Sequence, residues 1–386
     1  MRVALIAIDG QPRAAASDGP LRVAGRTLAL RQLDFALAAG AQRVIGLGHA
    51  ATAEAVELRL AAEGAGAKFQ VASGAHALLG TVGTADDLLV LVPGLLPEAE
   101  QALDLLESGH GVLTLPEGAV AQGFERIDRE RAWAGVARVP GNLIERLADL
   151  PTDVSIPETL MRIALQGRVA ERRLESALVA DGQWALLAAE DHAVEGAWLK
   201  RNLPVPPSAR PAAAFAGAFL RSLALPVLRN ARAVTWAAAA TIGALALAFG
   251  AAVAGVPVLA FLLLAVAATI GAFADAAARL RAAPYATADE GLPRLLGGLG
   301  DAALLLCATL AMAGTVPQRL FAAAVLVLAL HLPLALPHPV RWLDDRLSVA
   351  LLLLCGALVG QAQGALMVLA LTLLALRIAH SRLTRI

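Results

Sequence analysis

The chain changes character near residue 233. From there to residue 380 it is almost continuously Ala, Leu, Val and Gly, whereas residues 1–200 carry most of the charged side chains. Six apolar segments can be separated in the back half, each close to the roughly 20 residues with which a helix crosses a bilayer. They lie at about 233–253, 256–277, 296–314, 318–336, 347–362 and 364–380. The sequence therefore predicts a front domain followed by an all-α domain of six transmembrane helices.

The arginines between these segments indicate their orientation. One set of loops and the C-terminal tail hold most of them, whereas the opposite side holds only Arg319. The first set comprises Arg279, Arg281, Arg294, Arg341 and Arg346, with Arg377, Arg382 and Arg385 in the tail. Because cytoplasmic loops are enriched in Lys and Arg, we expect an integral protein of the inner (cytoplasmic) membrane, with its front domain and both termini in the cytoplasm.

Composition argues against several classes of function. The formal net charge is 0, so we expect no binding to nucleic acid. The two cysteines, Cys307 and Cys355, both fall in apolar segments and are expected to be buried thiols, and the seven histidines show no metal-ligand spacing. We therefore predict no metal site and no resident cofactor.

Short apolar runs alternate with amphipathic stretches in the front half. The runs 2–8, 43–49, 68–72 and 87–94 are typical of buried strands, and the stretches between them space their apolar residues as helices do. Alternation of this kind predicts βαβ units. We therefore expect an α/β, Rossmann-like domain over residues 1–200 with a mainly parallel sheet.

The order of motifs in this domain resembles that of the nucleotidyltransferases that activate sugar or alcohol phosphates. The segment PLRVAGRTL, at residues 20–28, is followed by a helix pattern and by AGAQRVIGLG, at residues 39–48, in the order found in that family. The resemblance covers residues 1–200 and implies a nucleotidyltransferase fold, in which a nucleoside triphosphate and magnesium would be bound.

The chain departs from the family pattern where the chemistry would be. The family's glycines and lysine near the start of the domain are replaced by Asp9, Gln11 and Gly19, and Arg13 alone remains as a candidate nucleotide-binding residue. The family's magnesium-binding acids fall on Leu95, in the pair Gly94-Leu95, and on Leu187. Leucine offers no oxygen to a divalent cation, so we expect ordinary nucleotidyl transfer to be lost.

Residues 201–232 are expected to connect the two domains. The part 201–211 reads RNLPVPPSARP, whose prolines break helices. After it, Arg221, Arg229 and Arg232 are spaced among apolar residues, a mixture typical of a segment that lies along a membrane surface.

Six spans after a nucleotidyltransferase-like domain resemble the fusion of an inositol-phosphate cytidylyltransferase with a CDP-alcohol phosphotransferase. The membrane family carries D-x-x-D-G-x-x-A-R and then G-x-x-x-D-x-x-x-D, and the resemblance implies that these acids bind two metal ions and that the last is the general base. Within residues 233–386, the matching positions are Ala278, Arg279, Gly297 and Asp301. The positions that depart from the signature are Gly271, Ala274 and Leu305 in place of acids, and Asp275 in place of the glycine.

Asp275 and Asp301 are the candidate catalytic residues of the membrane domain, and two interpretations are open for them. With Arg279 and Arg281 they would line a polar cavity near the cytoplasmic face, since ionisable residues at membrane depth are functional candidates. Alternatively, Asp275 and Arg279, four residues apart on a helix, pair with each other. We favour the pairing, because two acids fall short of the ligands that two metal ions need.

The function expected from the sequence is that of a membrane protein related to polar-lipid headgroup synthesis, which has lost its chemistry and acts as a scaffold or partner. It would contact membrane lipids and either a protein partner or a second copy of itself. The alternative is an active transferase for a CDP-alcohol or an activated polyol, with rearranged ligands and with Mg²⁺ as its cofactor. Transport is less favoured, because the apolar segments show neither broken-helix pairs nor matching halves.

Overall fold

The computed structural model describes residues 1–8, 20–148, 154–203, 210–230, 232–282, 284–285, 291–313, 315–332 and 338–383. The chain divides into two compact units. Unit 1 comprises Met1–Arg201 and Pro284–Ala286, and unit 2 comprises Asn202–Ala283 and Thr287–Ile386.

Unit 1 is a mixed α/β structure. Its strands are β1 (Arg2–Ala7), β2 (Arg22–Val23), β3 (Arg26–Thr27), β4 (Arg43–Leu47), β5 (Lys68–Ala72), β6 (Asp87–Leu91), β7 (Leu95–Pro97), β8 (Gly111–Pro116), β9 (Arg131–Pro140), β10 (Glu171–Arg173) and β11 (Trp184–Leu186). Its helices are α1 (Leu28–Ala38), α2 (Ala53–Gly64), α3 (Ala75–Leu79), α4 (Glu100–Glu107), α5 (Ile156–Gln166), α6 (Ala177–Ala180) and α7 (His192–Asn202).

The main sheet of unit 1 runs in the order β10-β8-β9-β6-β1-β4-β5. Strands β5, β4, β1 and β6 are mutually parallel, as are β8 and β10, whereas β9 is antiparallel to both of its neighbours. The four strands expected from apolar runs are confirmed as β1, β4, β5 and β6, and the three helices expected between and after them as α1, α2 and α4. Strands β1 and β6 are almost wholly buried, as strands covered on both faces should be.

The segment PLRVAGRTL folds as a short hairpin that leads into a helix. Strands β2 and β3 are joined by a two-residue turn in which Ala24 has φ 51° and Gly25 has φ 76°. Two positive φ angles define the turn type whose twist suits a hairpin. The side chain of Thr27 then accepts the N–H of Leu30 and caps α1, the helix that the sequence predicted after this segment.

Unit 2 is helical over the part that the structure describes. Its helices are α8 (Pro211–Arg229), α9 (Ala233–Val253), α10 (Pro257–Ala282), α11 (Gly291–Leu310), α12 (Val316–His331), α13 (Arg346–Leu358) and α14 (Ala362–Leu383). Helix α10 packs against α8, α9, α11 and α13. The six apolar segments expected from the sequence correspond to α9 to α14.

Among the described residues, five helices are long and apolar enough to cross a membrane, namely α8, α9, α10, α11 and α14. This set differs from the sequence prediction in two respects. Helix α8, expected to lie along the surface, has the length and hydropathy of a span. The apolar helices at Arg319–His331 and Arg346–Leu358 are shorter than a span, the second because the chain turns after it at Gly360, which has φ 75°. A membrane-inserted unit 2 is thus supported, and six crossings remain a prediction.

The prediction of two buried thiols was half wrong. Cys307 on α11 is buried, whereas Cys355 on α13 is exposed. An apolar segment predicts burial in either protein or lipid, and the sequence alone does not distinguish the two sides of a membrane helix.

The contact between α13 and α14 should depend on Gly356. A Cβ added there would come within 2.3 Å of the Cβ of Ala365 on α14, whereas a Cβ at Gly250 on α9 meets nothing within 4 Å. We expect Gly356→Ala to lower the free energy of unfolding in detergent by about 1–3 kcal/mol through overpacking. Gly250→Ala should be neutral or stabilising, since alanine favours helix by up to about 1 kcal/mol over glycine.

Thermal unfolding of the purified protein would measure both effects, and the double variant Gly356→Ala/Ala365→Gly should recover most of the loss. Equal midpoints for Gly356→Ala and Gly250→Ala would show that α13 and α14 are not in close contact.

Candidate functional site

The carboxyl edge of the main sheet is the first candidate site, because open α/β sheets bind ligands where neighbouring strands connect in opposite directions. Strand β1 is such a point, with β4 on one side and β6 on the other. The chain leaving β1 passes through residues 9–19, which lie outside the described residues. Asp9, Gln11, Arg13 and Gly19 belong to that segment, so Arg13 stays a prediction as a nucleotide-binding residue.

The structure does bring together the two positions that the resemblance assigns to magnesium-binding acids. Strand β7 pairs antiparallel with β11, so that Leu95 lies opposite Leu186. The N–H of Leu187 donates to the carbonyl oxygen of Gly94 at 2.8 Å. Gly94 has φ +81°, and a Cβ there would come within 2.5 Å of the Leu187 carbonyl oxygen. The chain segments therefore approach each other as a shared site would require.

The side chains at these two positions cannot ligate a cation. Leu95 has no solvent exposure and is part of the hydrophobic core, and Leu187 is 9% exposed. Divalent magnesium needs oxygen ligands, which leucine does not supply. Asp191, four residues after Leu187, has a different role, because its carboxylate accepts the N–H groups of Ala193 and Val194 at the start of α7.

A buried ion cluster lies nearby in unit 1 and was not predicted from the sequence. Glu98 follows β7 and accepts a hydrogen bond from the indole N–H of Trp198, and its carboxylate lies 3.8 Å from Arg31 Nη1. The Arg31 guanidinium is 4.1 Å from the centre of the Trp198 ring. Burial raises the pKa of Glu98 and lowers the pKa of Arg31 to about 10. The cluster joins α1, β7 and α7 internally, and its members gave no sequence signal because they are far apart in the chain.

The second candidate site is a cavity in unit 2 of about 340 Å³, enclosed by α8, α9, α10, α11 and α13. Its polar lining residues are Arg210, Thr241, Asp275, Asp345 and Arg346. The remaining lining is Ala, Gly, Leu and Pro. Its volume is at the lower end of the range typical of small-molecule sites.

Asp275 lines this cavity and is paired with Arg279, as the favoured interpretation predicted. Arg279 Nη2 lies 2.8 Å from Asp275 Oδ2, and Arg279 Nε donates to Oδ1 at 3.2 Å. The Arg279 side chain is 69% exposed. Neither Arg279 nor Arg281 is among the described residues that line the cavity, so the two arginines expected there are not the ones that the structure places there.

Asp301 lies behind the cavity wall, where it holds Arg346. Arg346 Nε donates to Asp301 Oδ1 and Nη2 donates to Oδ2, each at 2.7 Å. His331 Nε2 lies 3.2 Å from Oδ2 of the same carboxylate. From the sequence, Arg346 was counted as a loop charge. A signal for the pair was present, because an arginine at the edge of one apolar segment and an aspartate inside another are candidates for an ion pair.

Two glycines on α11 lie beside the Arg346 side chain. A Cβ at Gly297 would lie 3.4 Å from Arg346 Nη2, and one at Gly300 would lie 3.8 Å from its Cδ. Gly297 and Asp301, the two positions that match the second signature of the resemblance, therefore both lie beside Arg346. Leu305, in place of the expected base, packs against the hydrophobic core of unit 2.

Asp345 links the starts of two helices. Its carboxylate accepts the N–H of Ala212 at 2.6 Å, on α8, and the N–H of Leu347 at 3.4 Å, on α13. Both donors belong to first turns, whose N–H groups have no partner within the helix. Asp345 is therefore a capping residue that places α8 beside α13.

Comparison with known proteins assigns no family to this arrangement: no protein-family model matches the sequence, and no curated protein matches it either. Within the described ranges, no three His, Cys, Asp or Glu side chains are grouped so that they could hold a metal ion.

The Asp301–Arg346 pair should respond unequally to loss of its two members. The Asp301 side chain is 8% exposed and Arg346 is 45% exposed. Arg346→Ala leaves a buried carboxylate, so we expect a loss of about 3 kcal/mol in unfolding free energy. Asp301→Asn leaves an arginine that water can reach, so its loss should be about 1 kcal/mol.

Unfolding midpoints in detergent would measure this difference, with the exposed Arg341→Ala as the matched arginine control. Similar losses for Arg346→Ala and Arg341→Ala would contradict the pair.

Proposed function

We propose that this protein is a membrane protein of polar-lipid headgroup synthesis that has a nucleotidyltransferase-like front unit and a CDP-alcohol phosphotransferase-like membrane unit, and that it acts as a scaffold or partner without catalysis. It would contact membrane lipids and a protein partner or a second copy of itself, and no nucleic acid. The resemblance in motif order supports the proposed relationship to the two enzyme families. The pairing or replacement of the candidate site residues supports the proposed loss of catalysis.

The observation that carries the proposal is the two-hydrogen-bond pair between Asp301 and Arg346. An acid that ligates a metal needs its oxygens for the cation, and here each oxygen accepts a bond from the same guanidinium. Asp275, the other candidate acid, is paired with Arg279. Leu95 and Leu187 support the same conclusion for the front unit, because their chain segments lie together but leucine offers no oxygen to a metal ion.

One observation favours the alternative of an active CDP-alcohol or activated-polyol phosphotransferase with rearranged ligands. Two carboxylates, Asp275 and Asp345, line a cavity of a size that a small substrate would occupy. In that case Mg²⁺ would be the cofactor, and its ligands would come from positions other than those of the family signature.

The same proposal includes a Rossmann-like front domain, six crossings and a helix α8 that lies at the membrane surface. Three sides of α8 differ. The side buried in unit 2 includes Ala216, Leu220, Ala224 and Val227. The exposed apolar side is Phe215, Phe219 and Leu223. Arg221 and Arg229 are exposed on a third side. A helix with lipid-facing and cationic sides suits the boundary between lipid and water.

The uneven distribution of arginines between the loops supports a cytoplasmic location for both termini. Not every arginine counted from the sequence contributes to this bias, however. Arg346 is paired with Asp301, and Arg377 lies inside α14, where its guanidinium bonds Asp344 and the carbonyl oxygen of Leu332. The bias therefore depends on arginines such as the exposed Arg341.

Purified full-length protein should show no transfer from CDP-linked donors to inositol phosphate or glycerol phosphate, with or without magnesium. It should also bind CTP weakly or not at all. The reason is that the candidate acids are paired or replaced by leucine. Radiolabelled donor and lipid extraction would detect transfer, and calorimetry would detect CTP binding. Magnesium-dependent turnover that Asp301→Asn abolishes would establish the alternative and overturn the proposal.

A cysteine placed at Gln363, in a chain whose native cysteines are replaced by alanine, should react with a membrane-impermeant maleimide from the non-cytoplasmic side. The reason is that six crossings with cytoplasmic termini place the turn between α13 and α14 outside. A cysteine at the exposed Glu57 of unit 1 serves as the cytoplasmic control. Labelling of position 363 from the cytoplasmic side would refute this topology.

A further inference from the structure

The cavity of unit 2 has a polar end and an apolar end. Asp275, Arg346 and Gly297 lie toward one end, and Leu245, Leu264 and Leu304 line the rest. On α10 the lining extends from Leu264 to Asp275, which at 1.5 Å per residue is about 16 Å of helix. On α11 the direction is reversed, from Pro293 at the polar end to Leu304 at the apolar end. The cavity therefore fits a molecule with one polar and one apolar part.

The polar end favours an anionic group. Its carboxylates already have partners: Asp275 bonds Arg279, and Asp345 accepts two helix N–H groups. The pair with Asp301 uses Nε and Nη2 of Arg346, so that Nη1 is not bound by that carboxylate. Arg210 adds a second guanidinium to the lining. Both arginines lie near Asp345. The negative charge of Asp345 reduces their electrostatic attraction for an anionic ligand, but their N–H groups can still donate hydrogen bonds to it.

Helix ends add to this preference. Helices α8, α11 and α13 begin at the polar end, whereas only α10, of the described helices that line the cavity, ends there. Each N-terminus contributes roughly half a positive charge. The formal charges of the arginines and aspartates in this region sum to zero. The positive helix N-termini therefore make the electrostatic potential there favourable to a phosphate.

We propose that this cavity binds the phosphate ester of a lipid without a metal ion, with Arg346 and Arg210 at the phosphate and the first part of the acyl chains against Leu245, Leu264 and Leu304. Asp301 is the positioning residue that orients the Arg346 guanidinium over Gly297. The inference rests on the proposed function, because it assigns to a non-catalytic unit the lipid that such a partner would hold.

Equilibrium titration of the full-length protein in detergent tests the site, with dioctanoyl phosphatidic acid as the probe. Dioctanoylglycerol lacks the phosphate, and glycerol 3-phosphate lacks the chains, so the two separate a lipid source from free phosphate. Each titration is run in EDTA and again in magnesium. We expect phosphatidic acid to bind equally in both, and each of the other probes to bind at least tenfold more weakly.

The variant Arg346→Gln/Asp301→Asn removes both charges together, so that no buried carboxylate is left alone. We expect it and Arg210→Gln to weaken phosphatidic acid binding about tenfold. Arg341→Gln, an exposed arginine outside the cavity lining, should change binding less than twofold. Ala268→Phe, which fills the apolar part, should weaken binding while leaving both arginines in place. Unfolding midpoints establish that each variant is folded.

Binding that is equal for phosphatidic acid and dioctanoylglycerol, or unchanged by both arginine variants in folded protein, would overturn the site. Binding of glycerol 3-phosphate as tightly as phosphatidic acid would also overturn it, in favour of a soluble phosphate. Binding that disappears in EDTA would overturn its metal independence. Turnover in the transfer assay would overturn the proposed function alone, since binding in EDTA is read independently of turnover.

Discussion

The ion pair between Asp301 and Arg346 connects α11 to the start of α13. Two parallel hydrogen bonds of 2.7 Å hold the guanidinium and the carboxylate in one plane. Gly297 and Gly300 of α11 lie beside this arginine, where an added Cβ would be 3.4 Å and 3.8 Å from its side chain. Asp345 precedes Arg346 in the chain and binds the N–H of Ala212, so the first turn of α13 also determines where α8 begins. The polar end of the cavity is therefore built by one ion pair and one capping residue.

The front unit is organised by a different constraint, which is the burial of its sheet on both faces. Leu95 belongs to the core that covers the sheet, and β11 pairs beside it through Leu186. A carboxylate at Leu95 would have to be desolvated, and an unpaired buried charge is costly. The position is thus committed to packing. The close approach requires glycine at position 94, because the Leu187 carbonyl oxygen occupies the space that any Cβ would need.

Hydrophobic periodicity predicted the elements well because burial sets their spacing: β1, β4, β5, β6 and the helices α9 to α14 fall where the pattern put them. The pattern did not predict the direction of β9, which depends on pairing with strands elsewhere in the chain. It also did not predict the exposure of Cys355. The helical spacing of Asp275 and Arg279, four residues apart, favoured the bond that the structure shows between them. The same spacing rule does not apply to Asp301 and Arg346, which are 45 positions apart in the chain.

Residues that match a catalytic signature can have a structural role. Gly297 lies beside Arg346, and Asp301 accepts its hydrogen bonds. For Asp301 to bind a metal ion, Arg346 would have to leave it. The carboxylate is 8% exposed, so the ion would have to replace both bonds at a site that water scarcely reaches. The ion pair that connects α11 to α13 therefore opposes metal binding at the same carboxylate, and a lipid phosphate that uses Nη1 of Arg346 would leave that ion pair intact.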